Sequence, residues 1–339
     1  MLALCAALIV GSLVLHGLMP AGYPVVKRQA TGTAPRQAVS EIHSAGPVRI
    51  NEIMTANAGA LTDSFGETPD WAEIANISRS AVNLEGYVLA RNAKAGNVFV
   101  FPNITLQPGE CVVVYCDSRM QAEAGEELHA PFRLSTTGDV MMLFNQAEVA
   151  VDTVNVPALE ANQAYVRTGT ASWEISSECT PGVLNTDENR RAMTAVSGTS
   201  DVQIVEVVAS SESYAPDENG LCHDYVILKN TSGADVDISG WYLSDSPQFA
   251  RMWRFPNGTI LSPGGTITVH CSGVSRVDNP QHLHAGIKLA SEGEQVVLSN
   301  AAGQPMDMVT YDLLKTDTAY VRSADGSWSV GEPTAPKVK

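Results

Sequence analysis

The side chains that could do chemistry fall into three groups. Histidines form the first. His282 and His284 stand two apart, a spacing that puts both on one face of a strand. With His270 or Cys271 they could hold zinc, but none of the usual Cys/His ligand spacings is present. His129 and His284 each sit in a Leu-His-Ala triplet and are expected to be structural. Carboxylates form the second group. Asp63, Glu67 and Asp70 crowd a Gly-containing loop, and Asp217, Glu218 and Asp224 crowd a similar one. Hard oxygen ligands of this kind could hold calcium. The spacing of Asp63, Glu67 and Asp70 is not that of an EF-hand loop, so solvated loop charges are expected, with Asp70 in turn chemistry. Cysteines form the third group. Beyond Cys5 they are Cys111, Cys116, Cys179, Cys222 and Cys271, an odd number that leaves at least one free thiol. Cys111 and Cys116 are five apart and face opposite sides of a strand, so buried thiols acting as small apolar groups are expected.

No cofactor is called for. The sequence has no G-x-S-x-G, H-E-x-x-H, P-loop or dinucleotide-binding fingerprint. The pairs Asp63-Ser64, Asp117-Ser118 and Asp245-Ser246 have no histidine close in sequence. The expectation is therefore a protein that is not an enzyme. Lys plus Arg total 21 against 37 for Asp plus Glu, a net charge of −16. Nucleic-acid affinity comes mainly from cations that neutralise phosphates, so no nucleic-acid partner is expected.

The elements that must position these residues repeat. Val48-Arg49-Ile50-Asn51-Glu52-Ile53 resembles Val202-Gln203-Ile204-Val205-Glu206-Val207 at an offset of 154. The same offset relates Asp70–Asn76 to Asp224–Asn230, Leu84-Glu85-Gly86-Tyr87 to Ile238-Ser239-Gly240-Trp241, and Phe101-Pro102-Asn103 to Phe255-Pro256-Asn257. After one inserted residue the offset is 155. It pairs Cys116 with Cys271, Leu128-His129-Ala130 with Leu283-His284-Ala285 and Asp152 with Asp307. It also pairs Tyr165-Val166-Arg167 with Tyr320-Val321-Arg322, and Trp173 with Trp328. A register this steady marks an internal duplication. Within each copy the pattern is β. Runs such as Val112–Tyr115, Val140–Phe144, Ile267–Val269 and Gln295–Leu298 have strand length, and Asp152 and Asp307 open the next strand in each copy. Many short strands with regular turn signals indicate a sandwich or barrel. In Asp70-Trp71-Ala72-Glu73-Ile74, alternation places Ala72 and Ile74 on the core face and Trp71 and Glu73 on the other. Trp71, Tyr87, Trp241 and Trp253 are candidates for an exposed contact patch.

These strand and turn motifs, with the closing Thr180-Pro181-Gly182 and Asn185, resemble the lamin tail domain family. The resemblance covers residues 47–185 and, more weakly, 201–339. It implies two tandem immunoglobulin-like β-sandwiches, an all-β fold, and a scaffold or interaction role without catalytic residues. The second copy departs from the pattern where Val205 replaces Asn51, Tyr225 replaces Trp71 and Ile227 replaces Glu73. It also ends in Thr334-Ala335-Pro336 where Pro-Gly would close the domain. No sustained heptads accompany these domains, which excludes a lamin filament protein.

Ahead of the repeat, Met1 to Met19 carry no Asp, Glu, Lys or Arg, enough apolar chain to span a bilayer as a helix. Residues 1–22 are expected to be an uncleaved transmembrane anchor rather than a cleaved signal. Residues 23–46 read as a flexible spacer and residues 186–200 as a linker. Lys27, Arg28 and Arg36 would favour keeping the two domains on the inner side of a membrane. The resemblance to exported bacterial proteins favours the outside. The function expected is a non-catalytic extracytoplasmic scaffold, membrane-anchored or secreted, that contacts an unknown protein or cell-envelope partner. The alternatives are an accessory subunit of an envelope or exported enzyme assembly, and an unrecognised metal-dependent hydrolase.

Overall fold

A computed structural model describes residues 46–92, 96–123, 125–196, 200–276 and 282–338. The expected anchor and nearly all of the spacer lie outside them. Among the described residues no helix is long and apolar enough to cross a membrane.

The first copy folds into β1 (Val48–Met54), β2 (Asp70–Asn76), β3 (Val82–Asn83), β4 (Val88–Arg91), β5 (Val98–Val100), β6 (Thr105–Leu106), β7 (Cys111–Cys116), β8 (Leu128–Ala130), β9 (Asp139–Phe144), β10 (Ala150–Val156), β11 (Ala164–Arg167) and β12 (Trp173–Ser176). Helix α1 (Asp187–Ala192) comes next. The second copy folds into β13 (Val202–Val208), β14 (Tyr225–Asn230), β15 (Val236–Asp237), β16 (Tyr242–Ser244), β17 (Trp253–Arg254), β18 (Ile260–Leu261), β19 (Thr266–His270), β20 (Leu283–His284), β21 (Gly293–Ser299), β22 (Pro305–Asp312), β23 (Ala319–Arg322) and β24 (Trp328–Gly331).

Each copy makes the same sheets. The first has a six-stranded sheet ordered β12-β11-β1-β2-β7-β8, a four-stranded sheet ordered β10-β9-β4-β5 and a ribbon of β3 and β6. The second has β24-β23-β13-β14-β19-β20, β22-β21-β16-β17 and a ribbon of β15 and β18. Pairing is antiparallel except at one edge, where β8 runs parallel to β7 and β20 to β19. The expected duplication is thus a duplication of topology.

The inner faces carry the core. In the first copy Ile50, Ile53, Ile74, Leu89, Phe99, Phe101, Leu143 and Val154 pack together, and the Phe99 and Phe101 rings meet edge to face at 5.1 Å. In the second, Trp253 and Phe255 meet in the same way at 4.7 Å. Fully burying such side chains contributes about 1.5–3 kcal/mol each.

Three readings of the sequence need correction: the second face of β2, the exposed aromatic patch, and the place of Asp152 and Asp307. Trp71 and Glu73 are as buried as Ala72 and Ile74, because the closing segment covers the outer face of β2. Trp71, Tyr87 and Trp253 are therefore interior residues, and Trp241 is a partly buried one that packs on the core. Asp152 and Asp307 lie inside β10 and β22 rather than at their starts. The stretch 186–200 holds α1, with Asp187 and Glu188 in its first turn and Arg190 and Arg191 in its last, the charge order a helix dipole favours. Two compact units result, with a boundary inside α1. One runs to Ala58 and takes in Pro69–Asn189, and the other joins Gly59–Thr68 to Arg190–Lys339.

One device recurs between the sheets. β1 bulges between Ile50 and Glu52, and β11 takes up its pairing with β1 only from Glu52 onward. Side chains satisfy the backbone left over. The Ile50 N–H donates to Asp152 Oδ2 at 2.9 Å, and Arg167 Nε donates to the Ile50 carbonyl at 2.7 Å. Arg167 also pairs with Asp152, both side chains being almost wholly buried, and its guanidinium lies over Trp173 at 4.3 Å. Tyr165 stacks on Trp173 at 4.9 Å. The second copy repeats the arrangement with its arginine held more loosely. Ile204 N–H reaches Asp307 Oδ2 at 2.8 Å and Arg322 Nη1 reaches it at 2.7 Å, while Arg322 meets the Ile204 carbonyl at 3.4 Å and Trp328 at 5.6 Å. The Arg322 side chain is 21% exposed against 1% for Arg167.

Removing one partner of a buried ion pair leaves an uncompensated charge. Arg167→Met is expected to cost about 3–5 kcal/mol of unfolding free energy. Arg322→Met should cost less, because water reaches Asp307 more readily. Denaturant unfolding of the full chain, followed at the near-ultraviolet bands of the Tyr–Trp stacks, measures both. Equal losses would contradict the difference in burial.

Candidate functional site

A loop and one sheet edge of the second copy build the densest group of titratable side chains. The loop runs from Pro216 to Asp224. Asp217 organises it, because its Oδ1 accepts the N–H groups of Asn219 at 2.8 Å and Leu221 at 2.9 Å. Its carbonyl accepts the Gly220 N–H, with Gly220 at φ +77°, a conformation glycine adopts without cost. This is an Asx-turn, the local use for which aspartate is suited. With Oδ1 so engaged, Oδ2 faces His223 Nε2 at 3.1 Å and His284 Nε2 at 4.0 Å.

His284 comes from the parallel edge. The register of β19 with β20 sets His284 beside His270, and their rings stack at 5.0 Å. His223 meets both rings edge on, at 5.6 Å from His284 and 6.1 Å from His270, and His282 stacks on His270 at 6.2 Å. Glu218 Oε2 lies 3.1 Å from His284 Nε2. Burial, then the neighbouring His284 and His223, pushes His270 down to about 4. Burial would raise Asp217, but the N–H groups of Leu221 and Asn219 together with His223 outweigh it and hold the carboxyl at about 2.

Ser272 Oγ lies 3.1 Å from His284 Nδ1, so serine, imidazole and Glu218 form a line. Arg276 Nη2 lies 2.9 Å from the same His284 Nε2, so a guanidinium, which can only donate, and the Glu218 carboxylate, which can only accept, meet at one ring nitrogen.

The equivalent edge of the first copy is simpler. Tyr115 stacks on His129 at 5.1 Å, and His129 Nδ1 lies 2.9 Å from Asp117, which places a histidine beside one of the Asp-Ser pairs. Tyr115 stands where the second copy has His270, both being 155 apart and at the same pairing position opposite β2 or β14.

The sequence-proposed calcium residues divide. Asp63 plays the part of Asp217, its Oδ1 accepting the N–H groups of Phe65 at 3.0 Å and Glu67 at 2.8 Å. The Glu67 residue is exposed. Asp70 begins β2, where its Oδ1 accepts the Asn57 N–H at 3.2 Å and burial pushes its carboxyl up. Among the described residues no group of mutually close ligand atoms contains all three. Asp217, His223 and His284 do form such a group, with ligand atoms within 4.8 Å of one another. Its members are 6 and 61 residues apart, so no linear spacing announces it. The five described cysteines are free thiols, with Cys116, Cys179 and Cys271 buried. Burial pushes the Cys116 and Cys271 thiols well above their ordinary value.

The two copies also differ at the neighbouring edge. In the first, Arg91 Nε pairs with Asp139 at 2.7 Å. At the matching positions the second has Asp245 and Glu294, two carboxylates. Burial and then Glu294 push Asp245 up to about 6, with the backbone N–H groups of Asp245 and Lys288 opposing. Nearby Asp224 is likewise raised, chiefly by burial and also by Glu294, against Leu289 N–H, His223 and Lys288.

The family model described as Lamin Tail Domain matches the chain twice, at residues 41–158 and 195–312. In both copies the structure continues past the matched stretch through the last two strands and the closing segment. No curated protein sequence matches. Among solved structures, the crystal structure of Amycolatopsis orientalis exo-chitosanase CsxA aligns over 78% of this chain at 16% identity and a TM-score of 0.20. A complex of the exo-beta-D-glucosaminidase CsxA with a castanospermine or australine analogue gives 16% identity and 0.19. This chain covers 26% of either one, and at such scores neither the fold nor the activity of that enzyme carries over.

The raised Asp245 carboxyl gives a pH test. Folded Asp245 keeps its proton up to about pH 6, whereas in an unfolded chain it would lose it near the ordinary 3.8. Stability therefore falls as pH rises through that window and stays reduced above it. Asp245→Asn is expected to stabilise the chain at neutral pH by about 1–2 kcal/mol, after allowing for solvent screening at this half-buried group. The gain should close as pH falls below about 4. Thermal melting across the window measures it, and a pH-independent difference would refute the electrostatic cause.

Proposed function

The chain therefore belongs to the lamin tail domain family, in two tandem copies, and on that premise we propose that it is a non-catalytic binding or scaffold protein held outside the cytoplasm. The observation that carries this reading is the use both copies make of their buried carboxylates. Asp152 and Asp307 join the sheets through Arg167 and Arg322. Glu52 accepts the Thr180 N–H at 3.1 Å and its hydroxyl at 3.3 Å, fixing the closing segment of the first copy. Glu206 does the same for Thr334, with its N–H at 3.1 Å. These groups serve the frame, which leaves the loops at the sandwich ends free to vary. Recognition of a protein or envelope component is assigned to those loops, as it is in other sandwiches whose scaffolds present loops. The apolar N-terminal run supplies the anchor, and the resemblance to exported bacterial proteins supplies the reason for placing the domains outside.

Full-length chain made in a bacterial host is expected in the membrane fraction, with both sandwiches open to externally added protease. As bait on solubilised envelope it should retain a discrete envelope protein. Ester, peptide and glycoside substrates, with and without calcium or zinc, should turn over no faster than in buffer. Protection of the sandwiches in intact cells would overturn the location. Turnover abolished by His284→Gln would overturn the non-catalytic reading.

A further inference from the structure

We propose that Asp217, His223 and His284 form a binding site for a divalent cation of the zinc class. A tetrahedral cation with bonds of about 2.0–2.1 Å holds its ligand atoms roughly 3.4 Å apart. The distances from Asp217 Oδ2 to His223 Nε2, 3.1 Å, and from Asp217 Oδ2 to His284 Nε2, 4.0 Å, bracket that value, and the three ligand atoms all lie within 4.8 Å of one another. Imidazole nitrogens with one or two carboxylates suit zinc and its neighbours, whereas calcium takes six to eight oxygens.

The ligand atoms are oriented from behind. The turn N–H groups fix Asp217 Oδ1 and leave Oδ2 toward the imidazoles. Ser272 takes the Nδ1 side of His284, which turns Nε2 toward the carboxylates. Outer partners of this kind set ring direction at metal sites. Arg276 already brings a positive charge to that nitrogen, with Nη1 on Glu218 Oε1 at 2.8 Å and Nη2 on His284 Nε2 at 2.9 Å. Its side chain is 40% exposed, so it can swing aside when a metal ion takes the place.

Two further observations point to a ligand. His270 is 4% exposed, and among the described residues its Nδ1 has no hydrogen-bond partner, although it lies against His284 and His223. A buried polar atom without a partner is costly, so the cluster is unfinished as it stands. The frame does not require these imidazoles either. At the positions of His223, His270 and His282 the first copy has Pro69, Tyr115 and Glu127, with Tyr115 on the matching strand and the other two just ahead of β2 and β8, in a sheet of the same order.

The test is titration of metal-stripped full chain with zinc chloride by calorimetry, and with cobalt chloride by visible absorption. The expected result is one zinc per chain, and a four-coordinate cobalt band without a thiolate charge-transfer band. His223→Ala, at a partly exposed side chain, should weaken zinc binding by at least about tenfold, the loss that even an outer partner's removal brings. Its zinc-free melting temperature should be unchanged. His284→Gln should weaken binding in the same way. No saturable zinc binding, a thiolate band, or undiminished affinity in His223→Ala would each overturn the proposal.

Discussion

Both sandwiches depend on how one isoleucine's peptide groups are satisfied. A bulge in β1 leaves the Ile50 N–H and carbonyl without ladder partners, and the Asp152–Arg167 pair supplies both. Because Asp152 belongs to the four-stranded sheet and Arg167 to the six-stranded one, the repair of one backbone also ties the layers together. Coulomb attraction at low dielectric is strong, but desolvation of the two ions opposes it. The value of the pair lies in what it satisfies and in the register it imposes. A slipped β10 would strand a carboxylate in the core. The Trp173 and Tyr165 rings complete the arrangement by shielding the guanidinium from water.

Much of this is visible in the sequence as spacing alone. Asp152, Tyr165, Arg167 and Trp173 stand out because each recurs 155 residues later. Nothing in the linear pattern says that they touch, because the contact needs β10 and β11 to lie in opposite sheets. The outer face of β2 misleads for a related reason. Alternation distinguishes two faces of a strand, but a peptide segment from the end of the domain can cover the second face, as it does at Glu73. The imidazole cluster is the least legible feature. A search for Cys/His spacing assumes ligands from neighbouring positions, whereas these come from a loop and from the end of a parallel strand pair.

Where the copies differ, they differ as sets. In the first, Asn51 donates to Glu73 at 2.7 Å, and the Gly182 N–H donates to the other oxygen of that carboxylate. The second has Val205, Ile227 and Pro336 in these places, and the proline has no N–H to offer. An acceptor disappears together with its donors, so no buried polar group is orphaned by the exchange. The closing threonine keeps its partner in both, which is why the second copy ends properly without the Pro-Gly turn. The Tyr225 hydroxyl meets Glu206 at 2.8 Å and takes up capacity that the lost network would have left open.

The buried thiols have a consequence for where such a chain can work. A thiol acts as nucleophile and is oxidised through its thiolate, and burial at Cys116 and Cys271 suppresses that form. Each sandwich is held shut by apolar packing and the Asp–Arg clasp, so no disulfide is needed to keep it closed. A protein with unpaired cysteines ordinarily risks scrambled cross-links when it matures in an oxidising compartment. At Cys116 and Cys271 the sulfur is packed away as hydrocarbon-like filling, so these two thiols tolerate such surroundings without a disulfide partner, while Cys111 and Cys222 stay partly exposed.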